Sequence, residues 1–85
     1  MSQHTPNELT EIFKRDRDIL TRLKTQDAHF TKVSKIYHDV NRQVHRIESE
    51  AEAASDERTE GLKRQRLALL DEITDMVKKA REMAS

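Results

Sequence analysis

The sequence predicts an all-α chain, an antiparallel two-helix coiled-coil hairpin preceded by a shorter N-terminal helix. Three observations carry this. Glycine and proline occur once each, as Gly61 and Pro6, so the turn residues that a sheet fold of this length needs are missing. Apolar residues recur at alternating intervals of three and four through two long stretches. Hydrophobic residues are 34% of the chain against 38% charged, which suits helices that each bury one stripe rather than a thick core. With 85 residues, the chain is read as a single helical domain spanning 1–85.

Residues 1–4 read as a loose tail, and an N-terminal helix is expected over 5–25. Thr5 is placed at its N-cap, Pro6 at the first helical position and Glu8 reaching back in a capping box. Leu9, Ile12, Phe13, Ile19, Leu20 and Leu23 form its apolar stripe, with Glu11–Arg15 and Asp18–Arg22 as i,i+4 pairs on the polar side. The phase slips at Thr25-Gln26-Asp27, so Asp27 is read as the N-cap of a new helix after a break.

The first hairpin arm is expected over 27–54, on the heptad positions Phe30, Val33, Tyr37, Val40, Val44, Ile47, Ala51 and Ala54. Residues 55–59 are read as the turn, because Ser55 and Asp56 are turn and N-cap formers. The second arm, 60–83, repeats the pattern as Leu62, Arg66, Leu69, Ile73, Met76, Ala80 and Met83. Folding there pairs Ala51 with Arg66, Ile47 with Leu69, Val44 with Ile73 and Tyr37 with Ala80. In that register the Arg66 stem lies on Ala51 and its guanidinium reaches Glu48 or Glu50, a polar step that fixes the pairing. Each arm is roughly 35–40 Å long at the α-helical rise.

The seam leaves apolar residues over. Ile36, Leu67, Leu70 and Val77 fall outside it and form the candidate interaction surface. Either the N-terminal helix folds back over them or a second copy covers them. Self-association into a dimer or higher homo-oligomer is expected, since an isolated hairpin buries little surface, and the same strip could dock a helix of an unidentified protein partner.

Other functions find less support. Sixteen Lys and Arg balance sixteen Asp and Glu, and the balance holds along the chain: five against five in 1–27, four against four in 28–54, seven against seven in 55–85. A chain bound to nucleic acid or an anionic membrane by charge carries a basic excess, and none shows at this scale. The alternative reading is nonetheless a nucleic-acid-associated protein, with Arg58, Lys63, Arg64, Lys78 and Lys79 on phosphates. Acids flank those residues, and no aromatics interleave for stacking. His38 and His45 lie seven residues apart, about 10 Å on a helix, too far to share one ion, so no metal site is expected. Asp71 and Glu72 are adjacent and diverge. Without cysteine there is no thiol nucleophile or disulfide, and no glycine-rich phosphate loop or Ser/His/Asp grouping is present. No catalytic residue and no cofactor are expected. No apolar run of about 18 residues could span a bilayer, and the N-terminus lacks a secretory pattern, so a cytoplasmic setting without membrane contact is the expectation.

Leu23-Lys24, Asp27, His29-Phe30, Tyr37, Arg46-Ile47-Glu48, Ser55-Asp56, Leu62-Lys63 and Arg66-Leu67 with Leu69, Asp71, Glu72 and Ile73 form an ordered set over about residues 19–80. That set resembles the YdcH-like family of small bacterial proteins. The resemblance implies a cytoplasmic helical hairpin of undefined biochemical role, with no catalytic residue to carry over. Asn41 stands where that family more often has Asp, and Leu70 where it more often has Lys, which makes this second arm the more apolar one.

Overall fold

The computed structural model describes residues 6–84. The described chain is all helical, in the order α1 (Leu9–Ile12), a 3-10 turn (Lys14–Asp16), α2 (Arg17–Gln26), α3 (Ala28–Glu48) and α4 (Asp56–Ala84). Helices α3 and α4 form the antiparallel hairpin, and α1 and α2 lie across its open end as a third layer.

The predicted break falls at Asp27. Its backbone is extended, and its carboxylate accepts the Phe30 N–H at 3.0 Å, satisfying a donor that the first turn of α3 leaves free. Thr31 ties the corner from the other side, its hydroxyl donating to the Lys24 carbonyl at 2.9 Å.

The single helix expected over 5–25 is replaced by three pieces. The breaks sit at Phe13 (φ −109°, ψ 51°), just before the polar run Lys14-Arg15-Asp16-Arg17-Asp18, and at Asp16 (φ −115°, ψ 26°) within it. A short helix depends on tertiary packing of its apolar face, and this stretch has no apolar residue to pack. Its start is also later than expected. Thr5 lies outside the described residues; Glu8, its proposed capping partner, has extended backbone and places its carboxylate 3.0 Å from His38 Nδ1. Pro6 and Asn7 run non-helically across α3, with Asn7 in the left-handed region (φ 64°) that asparagine tolerates.

The hairpin turns earlier than the heptad pattern suggests. Helix α3 stops at Glu48, and α4 begins at Asp56, so the connection is 49–55 rather than 55–59. The stop is a Schellman motif. Ala51 N–H donates to the Arg46 carbonyl at 2.9 Å, Glu50 N–H to the Ile47 carbonyl at 3.1 Å, and Glu50 occupies the left-handed position (φ 64°). Glu52 then clamps the connection, accepting from Arg58 Nη1 at 2.9 Å and Arg46 Nε at 3.4 Å. The Arg58 hydrogen bond is the main reason the Glu52 carboxyl sits below its ordinary value. Ser55 caps α4 by accepting the Arg58 N–H at 3.1 Å.

Moving the turn moves the register. Arg66, expected opposite Ala51, donates instead to Asn41 Oδ1 at 3.1 Å, ten positions nearer the start of α3 (51 − 41). Ile73, expected opposite Val44, belongs to the cluster of Phe30, Val33, Tyr37 and Val77. Ala51 and Ala54 fit the heptad phase, but alanine is as readily left in a connection as buried, and Ala51 is exposed.

A non-glycine residue at a left-handed helix end is strained by about 1–3 kcal/mol. Glycine relieves that strain at a cost of about 0.5–1 kcal/mol in unfolded-state entropy. Glu50→Gly is therefore expected to stabilise the chain by about 0.5–1 kcal/mol, read as a higher urea midpoint with an unchanged slope. A neutral or lower midpoint contradicts the assigned turn.

The core gathers at the open end. Leu9, Phe13 and Leu20 from the N-terminal layer, Phe30, Val33 and Tyr37 from α3, and Ile73 and Val77 from α4 make one cluster, flanked by half-buried Ile19, Leu23, Leu69, Leu70 and Met76. Asp16 fastens the layer with a two-pronged ion pair to Arg81 near the end of α4.

Candidate functional site

The third layer decides where the surplus apolar strip of α4 goes. Val77, predicted as part of an exposed interaction surface, is fully buried beneath the N-terminal segment and is a core residue. The N-terminal residues buried in the same cluster are Leu9, Phe13 and Leu20, from the apolar stripe of that element. Leu70 is half-buried, Ile36 is 36% exposed on α3, and Leu67 is 60% exposed. The structure thus brings together only Leu67 and Leu70 of the four.

They meet a residue that the sequence reading placed in a helix stripe. Ile12, 41% exposed, joins Leu67 and Leu70 around a hollow of about 210 Å³, with Tyr37 and Asn7 also lining it and Lys63 and Arg66 at its rim. Ile12 ends the first helical turn beside the break at Phe13, which is why its side chain misses the core that Leu9 and Phe13 enter.

Beneath the hollow a polar latch joins all three layers. The buried Asn41 amide receives Arg66 Nη1 on its oxygen at 3.1 Å and donates from Nδ2 to the Pro6 carbonyl at 2.8 Å. Tyr37 donates its hydroxyl to the Asn7 carbonyl at 2.7 Å. Burial pushes the Tyr37 phenol above its ordinary value, with Arg66 pulling the other way, so it stays a neutral donor. Asn41 and Tyr37 give the chain entering α1 defined hydrogen-bond partners despite its non-helical path, and Arg66 holds the Asn41 amide in place. No signal in the sequence marked Asn41 as their hub beyond its place on the inner face of α3.

The cations proposed for phosphate contact are mostly engaged. Arg58 bonds Glu52, Lys63 lies 3.7 Å from Glu48, and Lys79 lies 3.1 Å from Asp75. Arg64 and Lys78 are exposed on α4. Of the histidines, His29 pairs with Glu72 at 2.6 Å and His38 with Glu8. No group of three or more His, Cys, Asp or Glu among the described residues could hold a metal ion. No helix among them is long and apolar enough to cross a membrane.

The model of a family described as a protein of unknown function (DUF465) matches residues 30–77, from the first core residue of α3 to Val77. The match therefore covers most of the hairpin, stopping seven residues short of the end of α4, and excludes the N-terminal layer. No curated protein and no solved structure matches this chain.

Proposed function

The chain belongs to the DUF465 family of proteins of unknown function, and from that premise we propose that it is a non-enzymatic helical protein that acts by self-association and protein contact through Ile12, Leu67 and Leu70. One observation carries the reading: Leu67 stands 60% exposed at the edge of a hollow that it shares with Ile12 and Leu70. A projecting leucine beside a hollow is self-complementary. A two-fold pairing would put the Leu67 of each copy into the hollow of the other. Small isolated domains gain stability from such burial, and an apolar patch around one depression is where it is available. The residues shared with the YdcH-like proteins support the same kind of object, a bacterial cytoplasmic helical hairpin. Leu70 in place of the lysine more common there favours an apolar contact at this spot.

The test is mass by light scattering across concentration. Wild-type protein is expected to rise from monomer towards dimer by the high micromolar range, and Leu67→Glu to stay monomeric. Because Leu67 is exposed, the substitution should shift monomer stability by no more than about 0.5 kcal/mol. A wild-type chain that stays strictly monomeric, or a variant that associates equally well, sinks the proposal.

A further inference from the structure

Charge that is balanced along the sequence is not balanced in space. Between α2 and α3, on residues not shared with the Ile12–Leu67 hollow, runs an open groove of about 670 Å³. Its floor is apolar, made by Leu9, Leu20 and Phe30. Its banks carry Arg17 and Lys24 on α2, and Lys35 and Arg42 on α3. The one acid lining it, Asp39, is held by Arg42 at 2.6 Å. Arg17, Lys24 and Lys35 have no carboxylate partner among the described residues. A protein of zero formal net charge thus presents four cations and one committed acid around a single apolar trough.

The spacing is regular. Arg17 and Lys24 are seven residues apart, as are Lys35 and Arg42, so each bank offers two cations about two turns, or about 10.5 Å, apart. A ligand with one head group could satisfy only one end of such a pair. A helix with a heptad apolar stripe flanked by acids presents carboxylates at that same interval on both sides. Nucleic acid fits poorly, because the floor is apolar and Phe30 shows only 2% of its surface there, leaving no open ring face for base stacking.

We propose that the α2–α3 groove binds an acidic amphipathic helix of a partner protein, its apolar face over the trough floored by Leu9, Leu20 and Phe30 and its carboxylates on Arg17, Lys24 and Lys35. The helix becomes a further rod of the bundle, packed against two helices already in place.

Fluorescence anisotropy with a labelled synthetic peptide of about three heptads tests this, with leucine at a and d and glutamate at e and g; its own e and g repulsion keeps it from pairing with itself. Full-length protein is expected to bind it, and to lose affinity steeply as salt rises. Lys24→Glu/Lys35→Glu should weaken binding by about tenfold or more through like-charge repulsion. Both side chains are exposed and unpaired, so the circular dichroism spectrum and melting midpoint of the variant should match wild type. A peptide of equal composition with its acids opposite the leucines should bind at least about tenfold less tightly. Leu67→Glu should leave the affinity unchanged, which separates this surface from the self-association surface. Equal binding of the two peptides, a charge-reversal effect within about twofold, or loss of binding in Leu67→Glu overturns the proposal.

Discussion

Tyr37→Ala is expected to cost about 3–5 kcal/mol, the range for emptying a buried aromatic site. Tyr37 is fully buried, and its ring stands in the cluster that joins Phe30 and Val33 of α3 to Ile73 and Val77 of α4. Its hydroxyl also holds the Asn7 carbonyl, so truncation opens a cavity and frees the chain entering α1. A chain of this length has a total stability of about 4–13 kcal/mol, and the variant should be largely unfolded at the low end of that range. Tyr37→Phe separates the two effects: it keeps the ring and loses one hydrogen bond, at about 0.5–1.5 kcal/mol. Urea denaturation of the three proteins checks both numbers, and a Tyr37→Ala loss under about 1 kcal/mol contradicts the cluster.

The pH dependence has a definite sign. Burial raises the Tyr37 phenol above its ordinary value of 10.0, so its contribution is fully present below that pH. It is lost as pH rises through the folded-state value. Tyr37→Phe should remove that alkaline loss and leave behaviour near neutrality unaffected in slope.

Ile73→Ala is expected to cost about 2–5 kcal/mol. The side chain is fully buried, at 0% accessibility, in the cluster that α3, α4 and the N-terminal layer share. Leu67→Ala on the same helix should cost under about 0.5 kcal/mol, because Leu67 is mostly in water. Comparable losses at the two positions, by thermal or urea melts, contradict the assignment of which face of α4 is inside.

The hairpin was legible because its evidence is periodic and local. Phe30, Val33, Tyr37, Val40 and Val44 all fall on the buried face that the heptad count assigns, and Asp27 caps where the phase slips. The turn was not legible. No glycine marks the left-handed position of the Schellman motif, and Glu50 occupies it instead, while Ala51 and Ala54 carry the pattern past the true end of α3. An error of a few residues at the turn doubles across the arms, which is why Arg66 meets Asn41.

The fate of Val77 turned on a choice that sequence left open, whether the N-terminal element or a second copy covers it. Arrangement in space decided it, through the Asp16–Arg81 ion pair and the Leu9, Phe13 and Leu20 contacts. The basic groove was hidden for a related reason. Counting charge along the chain averages Arg17, Lys24, Lys35 and Arg42 against acids that point elsewhere, such as Glu48 and Glu52 in the turn region. Helix faces sort charges that segments mix.

The N-terminal layer closes the open end of its own hairpin and leaves Ile12, Leu67 and Leu70 as an apolar contact around one hollow. An isotope-filtered NOE experiment on a mixture of labelled and unlabelled protein tests it most directly. Cross-peaks between Leu9, Phe13 or Leu20 and Ile73 or Val77 are predicted within one chain, and they should persist in Leu67→Glu. Cross-peaks that appear only between chains would mean that the layer is donated by a second copy and does not close its own hairpin.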